Sequence, residues 1–165
     1  MNYCKVLLKP KKEESILRFH PWVFSGAIQR IEGKPEEGDL VEVLACDGQF
    51  LALGHYQIGS IAVRILTFKP AEIDRAFWIN RIRTAYELRQ TLGLVGTDRN
   101  NTYRLVHGEG DNLPGLIIDI YAATAVMQAH SIGMHRSRTE IAEALQEVLG
   151  ASLLVISYKS EPLLP

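Results

Sequence analysis

The stretch from Lys9 to Trp22 brings cationic and aromatic side chains together within a short segment. RNA recognition needs cations for phosphates and flat side chains for unstacked bases, and this stretch supplies both. The cations are Lys9, Lys11, Lys12, Arg18 and His20, and the neighbouring aromatic residues are Phe19 and Trp22. Spacing alone leaves a second interpretation open, in which the segment is a solvated loop and Trp22 and Phe24 belong to a hydrophobic core.

Further arginines extend this chemistry along the chain. Arg64 alternates with apolar neighbours in SIAVRILTF, which places it on the outer face of a strand. The segment 72–92 is also rich in arginine, at positions Arg75, Arg81, Arg83 and Arg89. These side chains either enlarge a polyanion-binding surface or solvate an ordinary helix, and the sequence does not decide between the two.

Motifs for self-contained catalysis are absent, because the chain has no GxSxG, no P-loop and no HExxH. The glycine cluster at 108–115 leads into LIIDIY, which has the pattern of a strand. A cofactor-binding loop opens instead into a helix that holds the phosphate at its N-terminus. The cluster is therefore predicted to be a structural turn, with Asp111 as a turn residue and Asp119 as an edge residue.

Thiols and imidazoles show no catalytic or metal-binding spacing. Cys4 and Cys46 lack a CxxC pattern, so we predict neither a zinc site nor a disulfide scaffold. His130 and His135 are five residues apart across a predicted strand-to-helix junction, which favours surface or capping roles over a metal pair. No cofactor and no metal site is expected in this chain.

Composition indicates a globular protein of one ordinary domain or two small ones. The 165 residues are 47% hydrophobic and 22% charged, with a net charge of −1. Uninterrupted apolar runs reach four residues, whereas a transmembrane helix needs about 20. The amino terminus lacks the apolar core of a signal peptide, so a cytoplasmic location is expected. The first 20 residues hold five Lys/Arg against two Glu, which predicts a local basic patch at this end.

Periodicity divides the chain into three parts. Residues 1–69 read as a small β-barrel, in which Asp47-Gly48 predicts a two-residue hairpin turn. Residues 70–100 form a connecting helix and linker, with helical spacing over 72–92 and Gly93 as the helix stop. Residues 101–165 form a small α+β domain of strands and one helix from Met134 to Leu149, and its final strand, in ASLLVISY, is buried on both faces if its apolar run is taken literally. The predicted fold class is therefore α+β.

The blocks LKPKKEESILRFHPWVFSGAIQRIEG and YRLVHGEGDNLPGLIIDIY, in this order and at this separation, resemble a known family. The first is similar to the opening of a PUA domain, a small RNA-binding barrel. The second is similar to the central α+β domain of SAM-dependent ribosomal RNA methyltransferases of the large-subunit methyltransferase I type, which make 5-methylcytosine in 23S rRNA. The resemblance covers essentially the whole chain.

The resemblance also implies what the chain lacks. In that family a Rossmann-like catalytic domain follows, with a glycine-rich SAM loop, an acidic ribose-binding residue, a DPP-type motif and the nucleophilic cysteine. This sequence ends at YKSEPLLP and carries none of those motifs, so no catalytic or cofactor-binding residue is transferred to it. S-adenosylmethionine is expected for a full-length parent and not for this chain.

The function implied is that of the RNA-binding amino-terminal portion of an rRNA cytosine-C5 methyltransferase. Contacts with 23S rRNA are expected from Lys9, Lys11, Lys12, Arg18, His20 and Arg64. Two alternatives stay open: a free-standing RNA-binding module, and a protein-interaction module that dimerises through the helix around Phe77 and Trp78.

Overall fold

The computed structural model describes residues 3–96 and 100–160, which divide into two compact units on either side of the Ala71–Glu72 bond. We call the first the barrel unit and the second the layered unit. Some residues of the predicted domains lie outside the described part of the chain: 1–2 of the predicted barrel, 97–99 of the predicted linker and 161–165 of the predicted central domain.

The barrel unit is a curled six-stranded sheet with one helical turn, α1 (Glu14–Leu17). Its strands are β1 (Cys4–Leu8), β2 (Trp22–Phe24), β3 (Ile28–Glu32), β4 (Leu40–Leu44), β5 (Phe50–Tyr56) and β6 (Ile61–Thr67). Their order is β2-β6-β5-β4-β1-β3, with β1 and β4 parallel and the other pairs antiparallel. The two edge strands, β2 and β3, are joined by only three residues, 25–27. So short a connection brings the two edges together, and the sheet must curl.

Alternation along the strands builds the barrel core. In β4, Val41 and Val43 are fully buried on one face, while Glu42 between them is partly exposed. The wall contains one very close strand contact, at Gly54 of β5. A Cβ atom at this position would overlap the Arg64 carbonyl of β6, so only glycine allows the two backbones to approach this closely.

The connection between β4 and β5 differs from the predicted two-residue turn. Five residues, 45–49, separate the two strands. Gly48 has a positive φ (+90°), whereas Asp47 does not. Asp47 accepts a hydrogen bond from the Gln49 amide at 3.0 Å instead. The side chain of Asp47 therefore forms a local Asx turn, which removes the need for a left-handed backbone there.

The layered unit packs helices on a four-stranded sheet. Its strands are β7 (Thr102–His107), β8 (Leu116–Tyr121), β9 (Thr124–Ala129) and β10 (Val155–Ser160). Its helices are α2 (Arg75–Thr91), α3 (Ile132–Arg136) and α4 (Arg138–Leu149). The order is β10-β9-β8-β7, with β9 and β10 parallel. The predicted helix from Met134 to Leu149 is thus two helices that meet at Ser137. The α+β class is confirmed.

Helix α2 buries the apolar residues Ile82 and Ala85 together with one arginine. Its buried residues are Trp78, Ile82, Ala85 and Arg89, whereas Leu92 is 61% exposed. Trp78 is only 2% exposed, because it belongs to the core of the layered unit. This burial removes Trp78 from the predicted dimer seam.

Strand β10 is not buried on both faces, contrary to the sequence-based expectation. Leu154 and Val155 are 77% and 52% exposed. The strand lies at the edge of the sheet with β9 on one side, so its apolar residues are only partly covered. Within the described ranges, no helix has both the length and the apolar character needed to cross a membrane.

Candidate nucleic-acid interface

The tight turn after β1 presents two lysines at its corner. The Lys12 amide donates to the Lys9 carbonyl at 3.0 Å, Pro10 occupies the second position, and Lys11 has a φ of +67°. This combination is that of a type II turn, which normally has glycine at its third position. A lysine in the left-handed region costs on the order of 1 kcal/mol, so this exposed turn retains backbone strain.

Lys11 and Lys12 line an open groove of about 560 Å³ in the barrel unit. Its other lining residues are Glu14, Ser15, Arg18, Phe24, Gly26 and Ala27. Among these described residues three are cationic and one, Glu14, is a carboxylate, so the formal charge of the lining is +2. Arg18 lies 3.7 Å from Glu14, and both side chains are mostly exposed, which makes this ion pair weak.

Three rings form a cluster at one end of this groove. His20 meets Trp22 edge to face at a centroid distance of 5.8 Å and lies tilted against Phe24 at 5.9 Å, and Trp22 and Phe24 meet edge to face at 6.1 Å. Phe24 is 47% exposed and lines the groove, while Val23 between the two aromatic residues is buried in the barrel. The interpretation that placed Phe24 in the core is wrong, because the two-residue strand period turns Phe24 outward when Val23 points inward.

The remaining predicted residues lie around the groove in different roles. Lys9 donates from Nζ to the Gly26 carbonyl at 2.9 Å, and its ammonium group retains two further donors. His20 places Nδ1 3.2 Å from the Trp22 amide nitrogen. Arg64 is directly opposite Trp22 in the β2–β6 pair and donates to Gln57 Oε1 at 3.2 Å. Arg64 is therefore a neighbour of the ring cluster and not part of the groove lining.

The arginines of α2 serve mainly the layered unit. Arg89 is buried and donates two hydrogen bonds to the Asp111 carboxylate and one to the Arg104 carbonyl. Arg75 pairs with Glu147 of α4 at 3.0 Å. Arg81 lies 5.0 Å from the centre of the Phe77 ring, and burial lowers the pKa of its guanidinium. Arg83 remains exposed. These contacts favour structural roles for Arg75 and Arg89.

The glycine cluster is a structural turn, as the sequence predicts. Residues Gly108–Asp111 form a 3-10 turn, Asn112 follows with a φ of +56°, and the chain enters β8 without a helix. Asp111 also accepts from the His107 amide at 2.6 Å. Asp119 is not an edge residue as predicted, because β8 is an interior strand, and it accepts from Arg104 of β7 at 2.8 Å. Asp111 and Asp119 thus have separate arginine partners and do not form a carboxylate pair.

The cysteines and histidines are dispersed. Cys4 and Cys46 are free thiols, and His135 Nδ1 lies 2.7 Å from the Tyr158 hydroxyl. Among the described residues, no group of three or more His, Cys, Asp or Glu side chains is arranged to hold a metal ion.

Sequence reasoning missed two parts of the groove. The outward direction of Phe24 was not predicted, although the alternation of Trp22, Val23 and Phe24 indicates it. The backbone at Gly26 and Ala27 gave no signal, because these residues reach Lys9 through contacts between distant positions.

Comparison with known proteins adds an independent observation. The profile of a PUA-like domain matches residues 6–68, which is almost the whole barrel unit. The chain is 40% identical over 144 residues to ribosomal RNA large subunit methyltransferase I of Escherichia coli (strain SMS-3-5 / SECEC). It is also 40% identical over 147 residues to the protein of the same name from Salmonella arizonae. The alignments cover 86% and 88% of this chain and 36% of each relative.

Solved structures share the fold at low sequence identity. A Streptococcus mutans protein described as a SAM-dependent methyltransferase superimposes with a TM-score of 0.79 at 17% identity, covering 93% of this chain and 40% of that one. A methyltransferase complexed with SAH gives the same TM-score at 16% identity, covering 94% and 40%. The chain therefore contains a PUA-like domain and is homologous, over most of its own length, to ribosomal RNA large subunit methyltransferases I, of which it spans little more than a third.

Proposed function

We propose that this chain binds structured ribosomal RNA through the groove and ring cluster of its barrel unit. The observation that carries this proposal is the groove lining, which places three cations and one carboxylate beside an exposed phenylalanine. Cations supply phosphate contacts, and exposed rings supply stacking surfaces for unpaired bases. Both kinds of group lie within the segment that matches a PUA-like domain.

Each predicted residue has a role in this proposal. Lys11, Lys12 and Arg18 contact phosphates, because their charged ends border the groove. Lys9 braces the turn through Gly26 and offers its remaining donors to the same RNA backbone. His20 and Arg64 flank Trp22 and Phe24, where they contact a phosphate or base edge next to a stacked base.

The parent activity is proposed to be cytosine-C5 methylation of 23S rRNA. The 40% identity to ribosomal RNA large subunit methyltransferases I supports an rRNA methyltransferase as the parent, and cytosine C5 is the position that the family resemblance implies. In such a parent, a further catalytic domain would bind S-adenosylmethionine and would supply the nucleophilic cysteine. The glycine-rich segment 108–115 does not have the form of a SAM loop, since it leads into a strand. In this proposal residues 1–69 bind RNA, 70–100 connect, and 101–165 form the central domain.

Salt-dependent RNA binding tests the groove assignment. We expect the chain to bind in vitro transcribed 23S rRNA fragments, measured by filter binding between about 50 and 200 mM salt. Lys11→Ala/Lys12→Ala should weaken binding and lower the slope of log K against log salt by about one to two. The reason is that each lost phosphate contact releases about one counterion fewer.

Lys34→Ala/Lys69→Ala is the matched control, because it removes the same charge from exposed positions of the barrel unit away from the groove. This control should keep the wild-type slope. An unchanged slope in the Lys11/Lys12 variant would exclude the residue assignment, and a wild-type chain that binds no RNA would exclude the function.

A further inference from the structure

The sheet of the layered unit has one covered face and one open face. In β8 and β9 the buried residues alternate with partly exposed ones, and Ile118 and Met127 belong to the buried set. Tyr158 of β10 shares that covered side, where its hydroxyl lies 2.7 Å from His135 of α3. The helices thus lie on one side of the sheet, and the intervening residues of each strand point to the other side.

Strand register places the open-face residues in rows. One row runs from Arg104 to Asp119, Val126 and Ser157, and a second runs from Thr102 to Tyr121, Thr124 and Val155. A third runs from His107 to Ile117, Gln128 and Lys159. The face therefore combines the exposed ring of Tyr121, hydroxyl and amide groups, cations on both outer strands, and the apolar side chains of Ile117, Val126 and Val155.

The three open-face rows carry a formal charge of +1. Their cations are Arg104 and Lys159, and their one carboxylate is Asp119, which already pairs with Arg104.

Arg104 and Tyr121 are close neighbours on this face. The hydrogen bond with Asp119 raises the pKa of Arg104, and the nearby Tyr121 adds to that rise. Tyr121 is 50% exposed at the end of β8. An exposed ring beside an oriented guanidinium is a combination that stacks a base and holds its phosphate.

The open face continues into a cleft of about 480 Å³ beside β7. Thr102, Arg104 and His107 belong to the open face and also line the cleft. The cleft lining further includes the exposed side chains of Leu88 and Leu92, in and directly after α2. The buried pair of Arg89 and Asp111 also lines the cleft. An apolar wall facing hydrogen-bonding groups suits a flat, partly polar ring such as a nucleobase.

We propose that the open sheet face of the layered unit binds single-stranded RNA, with Tyr121 as a stacking platform and Arg104, His107 and Lys159 as backbone contacts. This inference rests on the proposed function and extends it from the barrel unit to a second surface. A protein partner fits the face less well, because the core of a protein interface is depleted in charged residues, whereas an Arg104–Asp119 pair lies in the middle row here.

Fluorescence anisotropy with a labelled single-stranded RNA of about 12 nucleotides tests the proposal, since single-strand sites span about 4–16 nucleotides. Tyr121→Ala should weaken binding by about 5- to 100-fold, and Tyr121→Phe should restore most of it because the ring is retained. Lys159→Ala should lower the salt slope by about one. Arg83→Ala removes an exposed cation from α2 and should leave the slope unchanged.

The outcomes separate this inference from the function on which it rests. If Lys11→Ala/Lys12→Ala weakens binding while Tyr121→Ala and Lys159→Ala do not, the open-face site is excluded and the groove stands. If the wild-type chain binds neither this RNA nor 23S rRNA fragments, both fail. A concentration-dependent increase in mass by light scattering that Tyr121→Ala abolishes would overturn the RNA assignment and make the face a protein contact.

Discussion

The groove of the barrel unit and helix α2 of the layered unit use their cations in opposite ways. In the barrel unit, Lys11, Lys12 and Arg18 are exposed on a strained turn and a single helical turn. Within the described chain, neither Lys11 nor Lys12 forms an ion pair. In the layered unit, Arg75 and Arg89 have carboxylate partners, and the Arg89 side chain is only 10% exposed.

This difference shows that a count of basic residues does not locate a polyanion site. A buried guanidinium with three hydrogen bonds within the protein, such as that of Arg89, holds the structure together and is withdrawn from solvent. An ammonium group at the corner of a turn keeps its hydration and is available to phosphates. Availability, more than number, separates the two units.

The largest expected effect comes from breaking the buried ion pair. Asp111→Ala leaves the Arg89 guanidinium buried without its carboxylate, and we expect a loss of about 3–5 kcal/mol in the free energy of unfolding. The chain has two tryptophans, Trp22 and Trp78, one in each unit. In a Trp22→Phe background, urea unfolding followed by Trp78 fluorescence therefore reports on the layered unit.

Glu14→Ala is the matched variant for the barrel unit, because it removes the carboxylate from the exposed pair with Arg18. The change in unfolding free energy should stay within about 0.5 kcal/mol. Equal losses in the two variants would contradict the distinction between structural and available cations.

An intermediate effect is expected from removing the carboxylate in the groove. Glu14→Gln raises the charge of the lining from +2 to +3, so affinity for rRNA should increase by about 2- to 5-fold at low salt and converge on wild type as salt screens the groove. Glu32→Gln is the control, since it also breaks an exposed pair, with Arg30, outside the groove. A similar gain in both variants would mean that net charge, and not groove position, controls the affinity.

The smallest effect separates backbone strain from charge at the turn. Lys11→Gly relieves the left-handed φ of +67°, which offsets the entropy cost of glycine, so stability should stay within about 0.5 kcal/mol of wild type. Lys12→Gly removes the same charge where no positive φ is relieved and should lose about 0.5–1 kcal/mol. Thermal unfolding of the two variants compares them. A larger loss in Lys11→Gly would show that the turn depends on the lysine side chain.

The sequence predicted the elements well wherever burial follows a simple period. Strand β8 occupies the predicted LIIDIY segment, 116–121, and its buried residues alternate with partly exposed ones. In α4 the apolar residues Ile141, Leu145 and Leu149 lie on the buried side of the helix. The burial of these residues follows the period of their own strand or helix, so local periodicity is sufficient to predict which of them are buried.

Long-range contacts explain the failures. In α2, Arg89 is buried by its ion pair with Asp111, 22 residues away, and no periodicity rule assigns an arginine to a core. In the groove, residue types suggested Lys11, Lys12 and Arg18, but the meeting of these cations with Phe24 depends on a turn and a strand that the sequence alone does not bring together.

The glycine at position 54 has a consequence for how the barrel can assemble. A strand that slips by one residue turns every side chain to the opposite face of the sheet. A one-residue slip of β5 against β6 would replace Gly54 with Leu53 or His55 at the point where the Arg64 carbonyl leaves no room for a Cβ atom. The close approach of the two backbones therefore excludes such misaligned β5–β6 pairings by steric clash alone. The strand register at this point is fixed before side-chain packing contributes.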